Sequence, residues 1–342
     1  MDSLLKHMVD MTGHRDHAML DLSAVAAVQE LAGAQHTRVL SLAAVGPARY
    51  LRARASVDDG GAPRLEDEAG PGETLEAYPE LAACLAAQGA RAEAEQAGRH
   101  TMWVPIWRGE LAATILEIAR AAPFTAAEIH TIDGIVGVYR NFRNLLEYSE
   151  RDSLTGLLNR KTFDDQLARM LQCAAEQESP LPGQPERRQK GTGHEQWLAV
   201  VDVDHFKLVN DRFGHLYGDE VLILIANMLQ SSFRAHDRVF RFGGEEFVVL
   251  LRSTTLENAR RIIERFRAGV ENHHFPQVGT VTVSVGFTCI KPYDSPVVTL
   301  GHADQALYFA KTHGRNQVCH YDQLVADGLL ATVASNDTAE FF

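Results

Sequence analysis

Arg241-Phe242-Gly243-Gly244-Glu245-Glu246-Phe247 is the stretch that decides how this chain folds. Val239-Phe240-Arg241-Phe242 before it and Phe247-Val248-Val249-Leu250-Leu251 after it have the apolar, β-branched and aromatic character of strands. The spacing predicts a hairpin with Gly243 and Gly244 at its turn. Glycine suits a place where the backbone must reverse and where a bound group approaches closely. Glu245 and Glu246 follow at once, and adjacent acids on a tight hairpin repel each other. A metal ion is the obvious compensation. A plain solvated hairpin tip would not require Phe242 and Phe247 on its flanks.

Upstream, Trp197-Leu198-Ala199-Val200-Val201 is a continuous apolar run, as expected of a central strand covered on both faces. It ends in Asp202-Val203-Asp204, where alternation puts the two acids on one side. Paired acids at a strand end suit a hard cation such as magnesium. Taken alone, however, such a pair is more often a turn or a cap.

Together these segments resemble the signature of GGDEF-type diguanylate cyclases, here in a GGEEF variant. The other motifs of that family follow in order. Asp152-Ser153-Leu154-Thr155-Gly156-Leu157-Leu158-Asn159-Arg160 resembles its opening segment. Asp202 to Asp211 resembles its metal and phosphate segment, and Gly214-His215-Leu216-Tyr217-Gly218-Asp219 its guanine segment. Ser284-Val285-Gly286 and Ala310-Lys311-Thr312-His313-Gly314-Arg315-Asn316 resemble its closing strand and phosphate loop. The likeness covers residues 151 to 320.

The resemblance implies an α/β (α+β) fold of nucleotidyl-cyclase type, with a central mixed sheet flanked by helices. It implies condensation of two GTP into cyclic di-GMP on a homodimer, each subunit bringing one GTP. Asp202, Glu245 and Glu246, with the carbonyl of Val203, would hold magnesium or manganese. Glu245 would also accept the 3′-hydroxyl proton, a role Glu246 would share. Asn210 and Asp219 would read guanine, with Phe206 and His215 near the nucleotide. Lys311 and Arg315 would hold the triphosphate, assisted by Lys207. Arg234, Asp237 and Arg265 would form a second site at which the product inhibits. The rival reading is a catalytically silent receptor of cyclic di-GMP or GTP, which would be expected to lack the hairpin acids.

A formal net charge of -12 over 342 residues disfavours a nucleic acid polymer as partner. The dispersed cysteines Cys84, Cys173, Cys289 and Cys319 form no CxxC pair, as expected of reduced thiols in the cytoplasm. No apolar run is long enough for a bilayer, so no membrane partner is expected.

The first half reads as a separate domain, residues 1–148. Helical spacing over Asp21–Leu31, β-like runs at Thr37–Val45 and Tyr50–Val57, and a loop at Asp58–Gly72 come first. A helix over Glu73–Gln88 follows, then strands Thr101–Trp107 and Leu111–Ile118 around a turn at Arg108-Gly109-Glu110. This order resembles a GAF domain, which implies a small-ligand pocket or a dimer scaffold. His36, His100 and Trp103 are candidate pocket residues that equally suit core or surface. Thr125-Ala126-Ala127-Glu128 is a capping box opening a connecting helix, 125–148. Its stripe Ile132, Ile135, Tyr139, Phe142 and Leu146 would serve a helix packed on its own domain, but its place directly between two domains favours a dimeric stalk. The cyclase-like domain is expected over 149–322, with a flexible polar insertion at 176–196 that carries Arg187, Arg188 and Lys190. The tail 323–342 carries no assigned role.

Overall fold

Alternating and continuous apolar runs build two separate sheets in this chain. The structure is a computed structural model that describes residues 2–45, 48–66, 72–178, 195–234 and 236–331. The basic cluster Arg187, Arg188 and Lys190, most of the expected insertion and the tail from 332 lie outside the described residues. The chain divides into two units, Met1–Ser149 and Glu150–Phe342. Among the described residues no helix is long and apolar enough to cross a membrane.

The first unit begins with α1 (Asp2–Gly13) and α2 (His17–Ala32), followed by β1 (His36–Val45) and β2 (Ala48–Asp58). Short strands β3 (Arg64–Leu65) and β4 (Glu73–Thr74) lead to α3 (Pro79–Ala86). Then come β5 (Ala92–Gln96), β6 (Arg99–Arg108), β7 (Leu111–Arg120) and α4 (Ala126–Ser149). The sheet runs β3-β2-β1-β7-β6-β5, with β4 also on β2, and all its pairings are antiparallel. The helix expected from Glu73 starts only at Pro79, where the fixed φ of proline suits a first helical position. Ahead of it, Glu73 and Thr74 pair as β4 and Leu75–Ala77 form a single 3-10 turn.

The α4 stripe settles into its own unit. Ile132, Ile135, Tyr139 and Leu146 are buried with Leu20, Val25 and Val28 of α2, and Phe142 packs partly against them. The Tyr139 hydroxyl donates to buried Asp21 at 2.5 Å, and Arg54 pairs with the same carboxylate at 2.5 Å. Packing on the domain therefore accounts for the stripe that also suited a dimeric stalk. Its apolar residues are already used, so they are not free to face a second chain.

The second unit opens with β8 (Leu158–Asn159), α5 (Arg160–Glu178), β9 (Glu195–Val203), α6 (Phe206–Phe213) and α7 (His215–Ser232). It continues with β10 (Arg238–Gly243), β11 (Glu246–Thr254), α8 (Leu256–Asn272), β12 (Val283–Cys289), α9 (Pro296–Thr312), β13 (Val318–His320) and α10 (Tyr321–Ala326). The sheet is mixed, in the order β13-β12-β9-β11-β10-β8. β9 is antiparallel to both β11 and β12, while β8 and β13 add in parallel at the two edges. Alternate β9 residues feed two cores, which explains the unbroken apolar run. Trp197, Ala199 and Val201 join Phe247 and Val285 on one face, and Leu198 and Val200 join Phe240 and Val248 on the other.

Gly286 sets the distance between β12 and α9. A Cβ there would lie 2.2 Å from both Ala303 O and Leu307 N. Only glycine lets the helix rest on the strand this closely, and α9 carries Lys311 at its C-terminal end.

Candidate active site

The hairpin turns one residue later than expected: Gly243 pairs with Glu246, so Gly244 and Glu245 form the turn itself. Gly244 takes φ 38°, a region other residues avoid. The two phenylalanines anchor the hairpin from opposite faces of the sheet, Phe247 in one core and Phe242 in the other. Phe242 also meets Phe163 edge-on at 5.3 Å, and the Arg160 guanidinium lies 4.4 Å from its ring centroid. Arg241 braces the turn by donating from Nη2 and Nε to Gly244 O at 2.8 and 3.1 Å. Its Nη1 donates to Asp152 at 3.0 Å, joining the hairpin to the opening segment of the unit.

Strand register brings the acids together. Asp202 lies opposite Glu246 on β11 and opposite Ser284 on β12. Asp202 is only 5% exposed, and Lys311 Nζ from α9 sits 2.8 Å from its Oδ2. Burial raises the pKa of Asp202, with Lys311 opposing and Asp204 adding repulsion. Burial and then the Asp202 charge raise Glu245 and Glu246 as well. On α9, Asp304 is pushed up to about 6 by burial and by Glu246. Four acids thus share one field, and Lys311 opposes the repulsion at each of them.

Asp204 has a different place from that expected of a paired metal ligand. It accepts from Thr282 Oγ1 and Ser284 Oγ at 2.7 Å and from Asn316 N at 3.0 Å. These bonds commit it to tying β9 to β12, to the residue just before β12 and to the loop after α9. Among the described residues no three His, Cys, Asp or Glu side chains stand ready-arranged around a point. The donor chemistry still suits a divalent cation. Asp202, Glu245 and Glu246 offer hard oxygens, and their raised pKa values mark a shortage of positive charge that such an ion relieves. An ion that takes Asp202 must share it with Lys311.

The other expected residues lie on α6, α7 and the loop after α9. Phe206 is buried, Asn210 half-buried, and Lys207, His215, Asp219 and Arg315 reach solvent. Gly218 explains how Asn210 is held. A Cβ at Gly218 would fall 1.9 Å from Asn210 Oδ1 and 3.2 Å from Phe206 Cζ. Asp219 follows Gly218 directly in the sequence and is exposed. Arg315 lies close enough to oppose the upward shift of Asp202. The second-site residues also share a neighbourhood: exposed Arg265 donates to Ser232 O at 2.8 Å, just ahead of exposed Arg234. Asp237 is buried, and its two oxygens accept from Arg234 N and Arg252 N at 3.0 and 3.1 Å. It shapes the turn there rather than standing open to a ligand.

The first unit holds a cavity of about 530 Å³ lined by His36, Arg38, Tyr78, Arg99, Trp103 and Glu117, among others. Glu117 is buried at its floor, gripped by Arg38 Nε at 2.7 Å and by the Trp103 indole at 2.8 Å. Of the candidate pocket residues, His36 and Trp103 line this cavity. His100 does not, and lies 3.9 Å from Glu95.

Comparison with known proteins bears on the second unit. A family profile described as "Diguanylate cyclase, GGDEF domain" matches residues 183–317. Diguanylate cyclase DgcP of Pseudomonas aeruginosa is 42% identical over 170 residues, covering 49% of this chain and 23% of that protein. Response regulator PleD of Caulobacter vibrioides is 38% identical over 184 residues, covering 52% and 37%. Diguanylate cyclase DgcZ of Escherichia coli is 35% identical over 178 residues, covering 51% and 54%. The chain thus spans about half the length of these relatives or less. The second unit, with its hairpin acids, mixed sheet and ordered motifs, contains a domain of the GGDEF diguanylate cyclase family.

Proposed function

We propose that this protein condenses two GTP molecules into cyclic di-GMP and releases two pyrophosphates. The observation that carries the reading is the buried Asp202 held between Glu246 across the sheet and Lys311 from α9. In each of two steps a ribose 3′-oxygen attacks the α-phosphate of the facing GTP. A P–O bond forms, the α–β anhydride bond breaks, and pyrophosphate leaves. Glu245, whose carboxyl is raised by burial and by Asp202, accepts the hydroxyl proton, with Glu246 beside it. Lys311 and Arg315, assisted by Lys207, bind and orient the triphosphate. Asn210 and Asp219 read the guanine edge, with Phe206 and His215 alongside. Magnesium or manganese, held by Asp202, Val203 O, Glu245 and Glu246, would screen the phosphate charge.

Each protomer offers one half of this reaction, so the working form is a homodimer. In this reading the first unit is a GAF-like sensor whose cavity takes a small ligand, and the protein acts in the cytoplasm. Cyclic di-GMP inhibits at Arg234 and Arg265. The silent-receptor alternative is disfavoured because Glu245 and Glu246 are both present. The test is incubation of purified protein with GTP and magnesium, with the product identified by mass spectrometry. Glu245→Gln keeps the shape and is expected to lower turnover by about a hundredfold or more with folding intact. Near-normal product from that variant would overturn the role of Glu245, and no cyclic di-GMP from the wild type would overturn the function.

A further inference from the structure

The loop after α9 takes an unusual path. Arg315 and Asn316 are consecutive non-glycine residues at φ 61° and 46°, a conformation that persists only when the surroundings impose it. Part of the constraint is local. Arg315 N donates to Ala310 O at 3.0 Å, and Gln317 Nε2 donates to Ala310 O and His313 O at 2.9 and 2.8 Å. From outside the loop, Val285 N of β12 donates to Gln317 O at 2.9 Å, and the side-chain ties pass through Asn316.

The Asn316 amide is used at both ends by α8. Arg267 Nη1 donates to Asn316 Oδ1 at 2.6 Å, and Asn316 Nδ2 donates to Glu271 Oε1 at 2.7 Å. Arg267 and Glu271 also pair with each other at 2.8 Å, and Arg267 is steadied further by Glu264 at 2.7 Å. The Asn316 backbone N–H completes the tie by donating to Asp204 at 3.0 Å, two residues beyond Asp202. A closed set of charge-assisted bonds therefore runs from α8 through Asn316 to the end of β9. The residue just before Asn316 is Arg315, whose charge reaches Asp202.

We propose that Arg267 and Glu271 are positioning residues: acting through Asn316, they fix the backbone from which Arg315 reaches the triphosphate. This rests on the GTP reading above. Asparagine is the side chain the arrangement demands, because it accepts from Arg267 and donates to Glu271 at once. Aspartate there would face Glu271 with no donor. Neither Arg267 nor Glu271 touches the nucleotide in this scheme. Their effect is on how well GTP is held.

A double-mutant cycle on the full chain tests this, reading GTP affinity by calorimetry beside turnover and thermal melting. Arg267→Gln is expected to weaken GTP binding about tenfold while the melting temperature stays near that of the wild type. In an Arg315→Ala background the same substitution is expected to change affinity by less than about twofold, since its route is already lost. Equal losses in both backgrounds, or no loss in either, would overturn the proposal. Should Arg267→Gln melt early, Asn316→Asp and Glu271→Gln carry the test. Asn316→Asp alone weakens GTP, and adding Glu271→Gln, which supplies a donor to the new carboxylate, restores it. Failure of that rescue also counts against the proposal. Wild type that binds GTP but forms no cyclic di-GMP would end the condensation reading, and the affinity comparison would still decide the network. Wild type that does not bind GTP would end both.

Discussion

At the scale of single residues, glycines hold much of the site's geometry. Gly218 sits inside α7, where glycine costs about 1 kcal/mol relative to alanine. A Cβ there would lie 1.9 Å from Asn210 Oδ1, so Gly218→Ala must move the amide proposed to read guanine. The expected outcome is a rise of about tenfold in KM for GTP and weaker rejection of ATP, with little loss of thermal stability. Steady-state kinetics with both nucleotides checks it, and an unchanged KM would remove Asn210 from guanine recognition. The acids were legible in the sequence because unusual residue types stood at fixed spacing. Asp304, and the bonds that commit Asp204, were not legible. Their roles depend on which strand and helix come alongside, and residues 282, 284 and 316 lie 78 to 112 positions away from Asp204.

At the scale of elements, the contact of β12 with α9 should be intolerant. Gly286→Ala places a methyl group 2.2 Å from backbone atoms, which cannot rotate away as a side chain can. A loss of about 3 kcal/mol or outright misfolding is expected from overpacking, read by chemical denaturation. The start of α4 gives a pH test. Glu128 accepts from Thr125 N and Oγ1 at 2.8 Å and from Arg120 at 2.6 Å, forming the capping box read in the sequence. The Thr125 backbone bond, followed by Arg120, holds its pKa down at about 2 against an ordinary 4.5. A depressed carboxyl stabilises the fold above the ordinary value, and this contribution is lost as pH falls through 4.5 toward 2. The melting difference between wild type and Glu128→Gln should therefore shrink across that window. A constant difference would contradict the assignment. Strand and helix positions were largely legible from period. The partner of an amphipathic face was not: the place of α4 between two domains favours a stalk, whereas Asp21, buried beneath Tyr139, ties the stripe to its own domain. For the same reason Ile135→Glu would break the first unit's core and would report nothing about dimerisation.

At the scale of the whole molecule, the proposed product feedback is the property to measure. Arg234→Ala is expected to abolish slowing by added cyclic di-GMP while leaving uninhibited turnover largely intact. Inhibition that persists in this variant would place the second site elsewhere. Asp237 is a poor probe, because both its oxygens already hold backbone N–H groups and its loss would deform the turn. The link from Asp152 through Arg241 to Gly244 has a mechanical consequence. Asp152 is itself held by Thr155 and Leu157, so the entry to the unit is stiff where it meets the hairpin. One guanidinium closes a span of 89 residues, and it bears on the turn that presents Glu245. Force applied to the chain near residue 150 would reach the turn through this short strut, and would reach the strand beneath it through β8, which pairs with Phe240 and Arg241. A slackened strut, as in Asp152→Ala, would leave the turn free to swing while the sheet beneath it stayed still.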